Sequence, residues 1–153
     1  MFQSIYSGGA WVRLSQTVEI SSPWVDLICE QWQTDQGLTE YWRVERLDSI
    51  LVVPWSGSFV YTLEPIFRPG VGKMTVDFPG GRATCGGDNE QALSILKRES
   101  HLESQHILGL NLLSPPRDVD SSFSNQRLWV WAAEIEASWV ASSHLRPLAV
   151  PDT

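Results

Sequence analysis

Stretches in which apolar and polar side chains alternate recur along most of the chain, and they predict β-strands. Residues 24–32 and 41–46 are two such stretches separated by a polar turn at 34–37, so they predict a β-hairpin. Residues 48–54 (DSILVVP) are almost continuously apolar, which is typical of a strand covered on both faces. Further strands are predicted at residues 59–67, 106–113 and 128–136.

One segment has helical periodicity instead. Asp88 is a good N-cap residue, and Gln91 three positions later completes a capping-box pattern. The apolar side of the predicted helix carries Ala92, Leu93, Ile95 and Leu96, and its polar side carries Glu90, Lys97, Arg98 and Glu99. The preceding loop contains Gly80, Gly81, Gly86 and Gly87. A glycine-rich loop that leads into a helix N-terminus is a general anion-binding arrangement, although most such loops only turn the chain.

The segment FPGGR at residues 78–82, with the loop and helix after it, resembles the Nudix box, G-x5-E-x7-R-E-U-x-E-E-x-G-U, in which U is a bulky aliphatic residue. Residues 64–72 (EPIFRPGVG) are similar to the R-Q-Y/F-R-P-x-x-G segment of ADP-ribose and nucleotide-sugar pyrophosphatases. Residues 122–127 (SFSNQR) resemble the P-G-F-S-D/N-E-R loop of the same enzymes. The resemblance extends over roughly residues 18–137.

The resemblance implies an α+β fold, an α/β/α sandwich with a mixed β-sheet, the box helix and an N-terminal β-hairpin. In the similar pyrophosphatases this hairpin often pairs across a homodimer. They usually end in a long C-terminal helix, for which this chain has too few residues after its last strand. We expect an N-terminal arm at 1–17, a Nudix-like domain at 18–137 and a C-terminal tail at 138–153, and residues 1–14 of the arm are expected to be loose or ordered by a partner.

The chemistry implied by the resemblance is Mg²⁺-dependent hydrolysis, for which carboxylates on one helical face must converge on the metal. Here Glu99 is the only remnant of that set, and Gly87 stands where the loop glutamate belongs. Ser94 or Ile95 replaces the arginine that orients the carboxylates, depending on the register. The expectation is a degenerate box with no metal and no confident catalytic residue.

Two registers of the box are possible. The gapless one would bury Lys97 at an aliphatic position, whereas a loop shorter by one residue places Leu96 and Leu102 there, so the second is preferred. A relocated metal site built from Asp77, Glu99 and Glu103 is the alternative, and it requires the helix to continue as far as Glu103.

Ligand-binding candidates follow from the same resemblance. In the family an arginine at the position of Arg68 sits near the substrate, while the competing interpretation is a loop arginine paired with Glu64 or Asp77. Lys97 and Arg98 could partly replace metal charge against a diphosphate. The predicted ligand-binding set is Arg68, Gly80, Gly81, Arg98 and Phe123.

Tryptophan content indicates a contact role. The chain has 8 tryptophans, and this side chain is enriched at interfaces, although most copies are expected to fill the core. Trp11, Trp55 and Trp139 are predicted to be partly exposed interface residues. Without a C-terminal helix, one face of the sheet needs a cover, which the tail itself, a second copy or a different protein could supply.

Composition narrows the function classes. The chain has 153 residues and a formal net charge of −7, which does not favour nucleic-acid or anionic-membrane binding. Its 2 cysteines without C-x-x-C spacing fit a reducing compartment, and the default localisation is cytoplasmic.

Three hypotheses remain. The first is a catalytically inactive Nudix-fold protein that acts as an interaction, scaffold or regulatory subunit with a protein partner or in a homo-oligomer. The second is a metal-independent sensor that binds ADP-ribose or a nucleotide sugar. The third is a weak Mg²⁺-dependent pyrophosphatase that uses relocated acids.

Overall fold

The computed structural model describes residues 11–84 and 86–148, and it divides into two compact units. The first unit comprises the described residues up to Arg46 together with Asp118–Gln126. The second comprises Leu47–Arg117 and the described residues from Arg127 onward. The predictions that concern residues 1–10, Cys85 and residues 149–153 lie outside the described residues.

The first unit is a three-stranded antiparallel sheet in the order β1-β2-β3, formed by Val12–Ser21, Asp26–Thr34 and Gly37–Glu45. The predicted hairpin is confirmed as β2 and β3, and Gly37 makes the turn possible with a φ of 115°. The prediction of an N-terminal arm up to residue 17 is wrong from Val12 onward, because the residues from Val12 form β1 and pair with β2. The alternation of apolar and polar residues did not predict this strand because two bulges interrupt it, at Leu14 and Glu19, which have no partner on β2.

A buried carboxylate holds this sheet together. Glu30 on β2 is only 1% exposed, and its side chain accepts hydrogen bonds from Arg13 at 2.9 Å, Arg43 at 3.0 Å and Trp32 Nε1 at 3.0 Å. Burial acts to raise the pKa of Glu30, but hydrogen bonds from Arg43, Arg13 and Trp32 outweigh it, so the pKa is lowered. The ionised carboxylate therefore links all three strands.

The second unit is built around a mixed sheet. Its two central strands, β4 (Ser49–Ser56) and β11 (Arg127–Ile135), are parallel. The remaining strands of this sheet are β5 (Phe59–Leu63), β8 (Gly80–Arg82), β9 (Ile107–Leu112), β10 (Arg117–Asp118) and β12 (Leu145–Pro147). The prediction that residues 48–54 form a covered strand is confirmed, because Ile50 and Val52 on β4 are buried in the core.

The prediction of one strand over residues 59–67 is wrong. The chain breaks after β5, and residues 66–68 instead form β6 (Ile66–Arg68), which pairs with β7 (Lys73–Thr75) in a separate hairpin. Pro65 explains the break, since it has no amide hydrogen to donate to a ladder and restricts the residue before it. Arg68 therefore belongs to this hairpin and is not a residue of the main sheet.

The helix α1 spans Asn89–Ser100. Asp88 is its N-cap, as predicted, and accepts a 3.0 Å hydrogen bond from the amide of Gln91. The reciprocal half of the capping box is absent, because the Gln91 side chain accepts from the Thr84 amide at 2.7 Å instead. The helix ends in a left-handed turn at His101 with a φ of 60°, so it does not continue as far as Glu103, which the relocated metal site would require.

The core of the second unit lies between α1 and the sheet, and part of the tail completes it. Residues Ala137–Ser142 form a short 3₁₀ helix, β12 pairs with β5, and Leu145 is fully buried in the core. The tail thus adds an edge strand to this sheet and one buried side chain to its core. No helix in the part of the chain that the structure describes is long and apolar enough to cross a membrane.

Candidate functional site

A cleft of about 330 Å³ opens in the second unit beside β4, β8 and the C-terminal half of α1. It brings together four predicted site residues, and the relocated-acid candidate Asp77 lies with them. Its predicted members are Arg68, Gly80, Gly81 and Glu99. Apolar walls come from Ile50, Leu51, Leu63, Val76, Phe78 and Leu128. Four residues that were predicted from separate segments of the sequence therefore line one cleft.

The two glycines allow the helix and the strands to approach closely. Gly80 and Gly81 lie on β8 and pair with Leu51 and Ile50 of β4. A Cβ atom added at Gly81 would lie 3.0 Å from the Ile95 side chain and 3.1 Å from Arg98 Nη2. Gly81 therefore lets α1 pack onto β8 with the Arg98 guanidinium directly over the glycine.

Glu99 is held by its neighbour on the helix. Arg98 Nε donates a 2.8 Å hydrogen bond to Glu99 Oε1, and the two charges form an ion pair. The Glu99 side chain is about one-third exposed and the Arg98 side chain more than half exposed. The Glu99 carboxylate thus has a cationic partner within α1.

Arg68 forms the second ion pair of the cleft. Its Nη2 and Nε lie 2.7 Å and 2.8 Å from Asp77 Oδ2, and Thr75 donates to the same oxygen at 3.1 Å. The competing sequence interpretation, a loop arginine paired with Asp77, describes this arrangement. Glu64, the other partner considered, forms its ion pair with Arg146 instead.

The donor set of the cleft does not fit Mg²⁺. This cation prefers several oxygen ligands in near-octahedral geometry, and the cleft offers Asp77 and Glu99, each paired with an arginine. Glu103 follows the end of α1 and lines a different groove with Lys97. Within residues 11–84 and 86–148, no group of three or more His, Cys, Asp or Glu side chains could hold a metal ion.

Burial on α1 favours the shorter-loop register of the box. Leu96 is fully buried and Leu102 is nearly so, while Lys97 is exposed. The gapless register would have placed Lys97 in the core. The preferred register therefore agrees with the packing.

Gly87 occupies the loop position where the family pattern has a glutamate. Its φ is 65°, and a Cβ atom there would fall 2.4 Å from Trp129 Cγ. Trp131 Nε1 also donates a 3.2 Å hydrogen bond to the Gly87 carbonyl. The tryptophans of β11 thus fill the space next to this position, and no side chain larger than hydrogen fits without rearrangement.

Asp48 holds the Trp129 side chain of β11 in place, and it was not among the residues predicted from the sequence. Its carboxylate accepts hydrogen bonds from the Arg127 amide at 2.9 Å and Trp129 Nε1 at 3.1 Å, and it forms a 3.0 Å ion pair with Arg127. Burial acts to raise the pKa of Asp48, but the hydrogen bonds from Arg127 and Trp129 outweigh it, so the pKa is lowered. The feature of the sequence that could have indicated the role of Asp48 is the position of an acidic residue directly before an apolar strand.

Phe123 lies in the first unit. With Trp24, Val25, Val44 and Arg46 it lines a separate hollow of about 400 Å³. Asp120, at the same hollow, accepts hydrogen bonds from the Ser122 hydroxyl and amide, which lower its pKa. The structure therefore does not place Phe123 among the residues of the cleft.

The predicted interface tryptophans differ in exposure. Trp11 is 50% exposed and Trp139 is 44% exposed, whereas Trp55 is half-buried. Trp11 packs edge-on against Trp32, and Trp139 stacks on the buried His106 with ring centroids 4.0 Å apart. The sequence analysis missed the exposed indoles of Trp24 and Trp42.

Comparison with known proteins gives a fold. No family model matches the chain, and no curated protein matches its sequence. A solved structure described as an ADP compounds hydrolase superposes with a TM-score of 0.68 at 16% sequence identity, over 95% of this chain and 73% of that one. The chain thus has an α+β Nudix-like fold, and at this identity the likeness extends to the fold alone.

Proposed function

We propose that this chain is a Nudix-fold protein that does not perform metal-dependent hydrolysis and acts as an interaction, scaffold or regulatory subunit. The observation that carries the proposal is the state of the cleft carboxylates. Glu99 is paired with Arg98 and Asp77 with Arg68, and no third carboxylate lines the described cleft. Fold resemblance does not transfer an activity when the residues that perform it are missing.

The chemistry explains why this deficit matters. Metal-dependent cleavage of a diphosphate needs bound cations that activate water and neutralise phosphate charge. Two carboxylates already engaged with guanidinium groups are a poor cation site, because the positive charge beside them repels a divalent ion. Restoring the loop glutamate by substitution is also obstructed, since Trp129 lies against Gly87.

Exposed aromatic surface supports the interaction role. Trp11, Trp24 and Trp42 are all substantially exposed in the first unit, as is Trp139 in the second. Large exposed aromatic side chains are characteristic of surfaces that bind other proteins. The proposed partner is either a different protein or a further copy of this chain. We propose no metal cofactor for the cleft.

The test is turnover. Phosphate release from ADP-ribose, NADH and nucleotide sugars is measured with Mg²⁺ or Mn²⁺ for the wild type and for Glu99→Gln. The proposal predicts no turnover above the blank for either protein. Metal-dependent turnover by the wild type that Glu99→Gln abolishes would establish a rearranged active site and refute the proposal.

A second candidate function is a metal-independent sensor of ADP-ribose or a nucleotide sugar. The observation that favours it is the placement of two guanidinium groups, Arg68 in the cleft and Arg98 over Gly81. A diphosphate could replace Asp77 and Glu99 as the partner of these arginines with charge-assisted hydrogen bonds. The structurally similar hydrolase acts on ADP compounds, which makes these ligands the first to test.

Thermal stabilisation by these ligands in EDTA tests the sensor. The sensor predicts a rise in melting temperature for the wild type that Arg68→Gln removes. Arg117→Gln is the matched control, because Arg117 is an exposed arginine outside the lining of the cleft. No stabilisation across the panel would eliminate the sensor and leave the interaction role as the remaining proposal.

The third hypothesis, a weak Mg²⁺-dependent pyrophosphatase, requires Asp77, Glu99 and Glu103 to converge. Because α1 ends at Ser100 and Glu103 lines another groove, this set is not assembled in the described structure. The turnover assay tests this hypothesis directly. Metal-dependent turnover would support it, and no turnover above the blank would eliminate it.

A further inference from the structure

The 3 histidines of the chain differ in what their ring nitrogens contact. His106 is buried, and both of its nitrogens are engaged, Nδ1 with Glu136 at 3.0 Å and Nε2 with Gln105 at 3.2 Å. His101 and His144 are exposed, and their rings lie against each other with centroids 3.9 Å apart. Among the described residues, no hydrogen bond or ion pair involves either of these two imidazoles. Both rings therefore have nitrogens that are free to bind a ligand.

The backbone holds these two side chains together, although they are distant in sequence. His101 ends α1, where its amide donates to the Lys97 carbonyl at 2.9 Å and its φ of 60° turns the chain. One residue earlier, the Ser100 carbonyl accepts a 2.9 Å hydrogen bond from the His144 amide. The next residue of the tail, Leu145, is fully buried and begins β12. The folded chain thus places the two imidazoles side by side before any ligand binds.

Two adjacent imidazoles define a class of ligand. Imidazole nitrogen suits Zn²⁺, Cu²⁺ and Ni²⁺, whereas Mg²⁺ and Ca²⁺ prefer oxygen. Zn²⁺ binds imidazole at about 2.0–2.1 Å in tetrahedral geometry, so two rings on one ion have centroids about 5 Å apart. From the observed 3.9 Å the pair must open by about 1 Å, which two exposed side chains can do by rotation about their own bonds. Water completes the coordination of such an ion.

Charges of both signs surround the histidine pair. The carbonyl end of α1 has a partial negative charge, which favours a cation at His101. Glu103 lines the same groove as His101 and adds a negative charge, while Lys97 and Arg98 line it with positive charge. Arg98 is already paired with Glu99. Lys97 is therefore the main repulsive charge, and because it is exposed, solvent and salt screen it.

We propose that His101 and His144 together bind one Zn²⁺ ion, which links the tail to the end of α1. The ion binds the folded chain in preference to the unfolded one, because its two ligands are distant in sequence, and it therefore stabilises the fold. Neither histidine lines the cleft, so this ion adds nothing to the cleft carboxylates. Mn²⁺ stands at the weak end of the affinity series for such ligands and is not the expected occupant. The zinc site goes beyond the interaction role and does not depend on it.

Calorimetric titration near neutral pH tests the pair in untagged protein with Cys29→Ser and Cys85→Ser, which remove thiols that also bind Zn²⁺. One saturable Zn²⁺ per chain is expected. His101→Asn and His144→Gln should each weaken binding by at least about tenfold, because a single imidazole cannot chelate the ion, and the double variant should lose little more. Asparagine is chosen at the helix end because it adopts the left-handed conformation more readily than most residues.

The matched control is Lys97→Gln, which removes a positive charge from the same groove and keeps both imidazoles. It should bind Zn²⁺ at least as tightly as the cysteine-free parent. Separate ions on the two histidines would leave each single variant with half the stoichiometry and unchanged affinity, and that result would overturn the proposal. Binding that survives both histidine substitutions, or no saturable binding in the parent, would also overturn it.

Thermal unfolding tests the link between the tail and α1. Saturating Zn²⁺ should raise the melting temperature of the cysteine-free parent, and the same concentration of Mg²⁺ should leave it unchanged. In His144→Gln, Zn²⁺ should produce no rise, since the tail then contributes no ligand. An equal rise in His144→Gln and in the parent would show that the ion does not connect the two segments, and the proposal would be wrong.

Discussion

Glu30 in the first unit and Glu99 in the second show how differently one residue type is used in this protein. Glu30 is buried and receives hydrogen bonds from two arginines and a tryptophan on neighbouring strands. Glu99 is partly exposed, and its ion pair is with the adjacent residue on the same helix. The buried Glu30 carboxylate therefore has its donors on neighbouring strands of the sheet, whereas the Glu99 carboxylate in the cleft is paired within its own helix.

The largest expected effect separates these two glutamates. Glu30→Gln should lower the free energy of unfolding by about 3 kcal/mol, because it leaves the Arg43 and Arg13 charges without their buried partner. Glu99→Gln, which removes an exposed pair, should change it by less than about 0.5 kcal/mol. Urea unfolding followed by tryptophan fluorescence measures both. Equal losses in the two variants would show that burial does not distinguish the two sites.

The next effect concerns Gly87, which packs against Trp129. Gly87→Ala should destabilise the protein by about 2 to 4 kcal/mol, since the added Cβ meets Trp129 and the backbone is left-handed. Gly57→Ala is the matched control, because its φ is 58° but nothing lies within 4 Å of the added atom. A loss of about 1 kcal/mol is expected there. Similar losses at both positions would remove Trp129 from the explanation.

A smaller effect should appear in the pH dependence of stability. Since the folded-state pKa of Glu30 is lowered, its contribution is fully present above the unfolded-state pKa of about 4.3. It is lost as the pH falls through the lower folded-state value. The difference in unfolding free energy between the wild type and Glu30→Gln should therefore narrow on acidification below that range. A difference that stays constant in acid would show that ionisation of Glu30 is not what stabilises the sheet.

Much of the fold follows from local sequence signals. The hairpin from alternation, β4 from its apolar run and the start of α1 from Asp88 all depend on residues close together in the chain. The strand β1 was not predicted because two bulges break its alternating pattern. The end of α1 was not predictable because the left-handed residue that ends it is His101 and not a glycine. Pro65 is the signal in the sequence for the break between β5 and β6, because proline cannot donate to a strand ladder.

The site was predictable only in part, for a physical reason. The resemblance located Arg68, Gly80, Gly81 and Glu99, which the structure gathers in one cleft. Which arginine pairs with which carboxylate depends on contacts between segments distant in sequence, as with the packing of Trp129 against Gly87. Periodicity and motif spacing contain no information about such contacts.

The most direct test of the central claim is a measurement of Mn²⁺ binding. The electron paramagnetic resonance signal of the free ion reports how much Mn²⁺ remains unbound. The wild type should bind Mn²⁺ with a dissociation constant of about 1 mM or higher, because the cleft carboxylates are paired with arginines. Arg98→Glu, which replaces one of those arginines with a carboxylate beside Glu99, should bind more tightly. Tight stoichiometric binding by the wild type that Glu99→Gln abolishes would contradict the account, since it would show a functional metal site in the cleft.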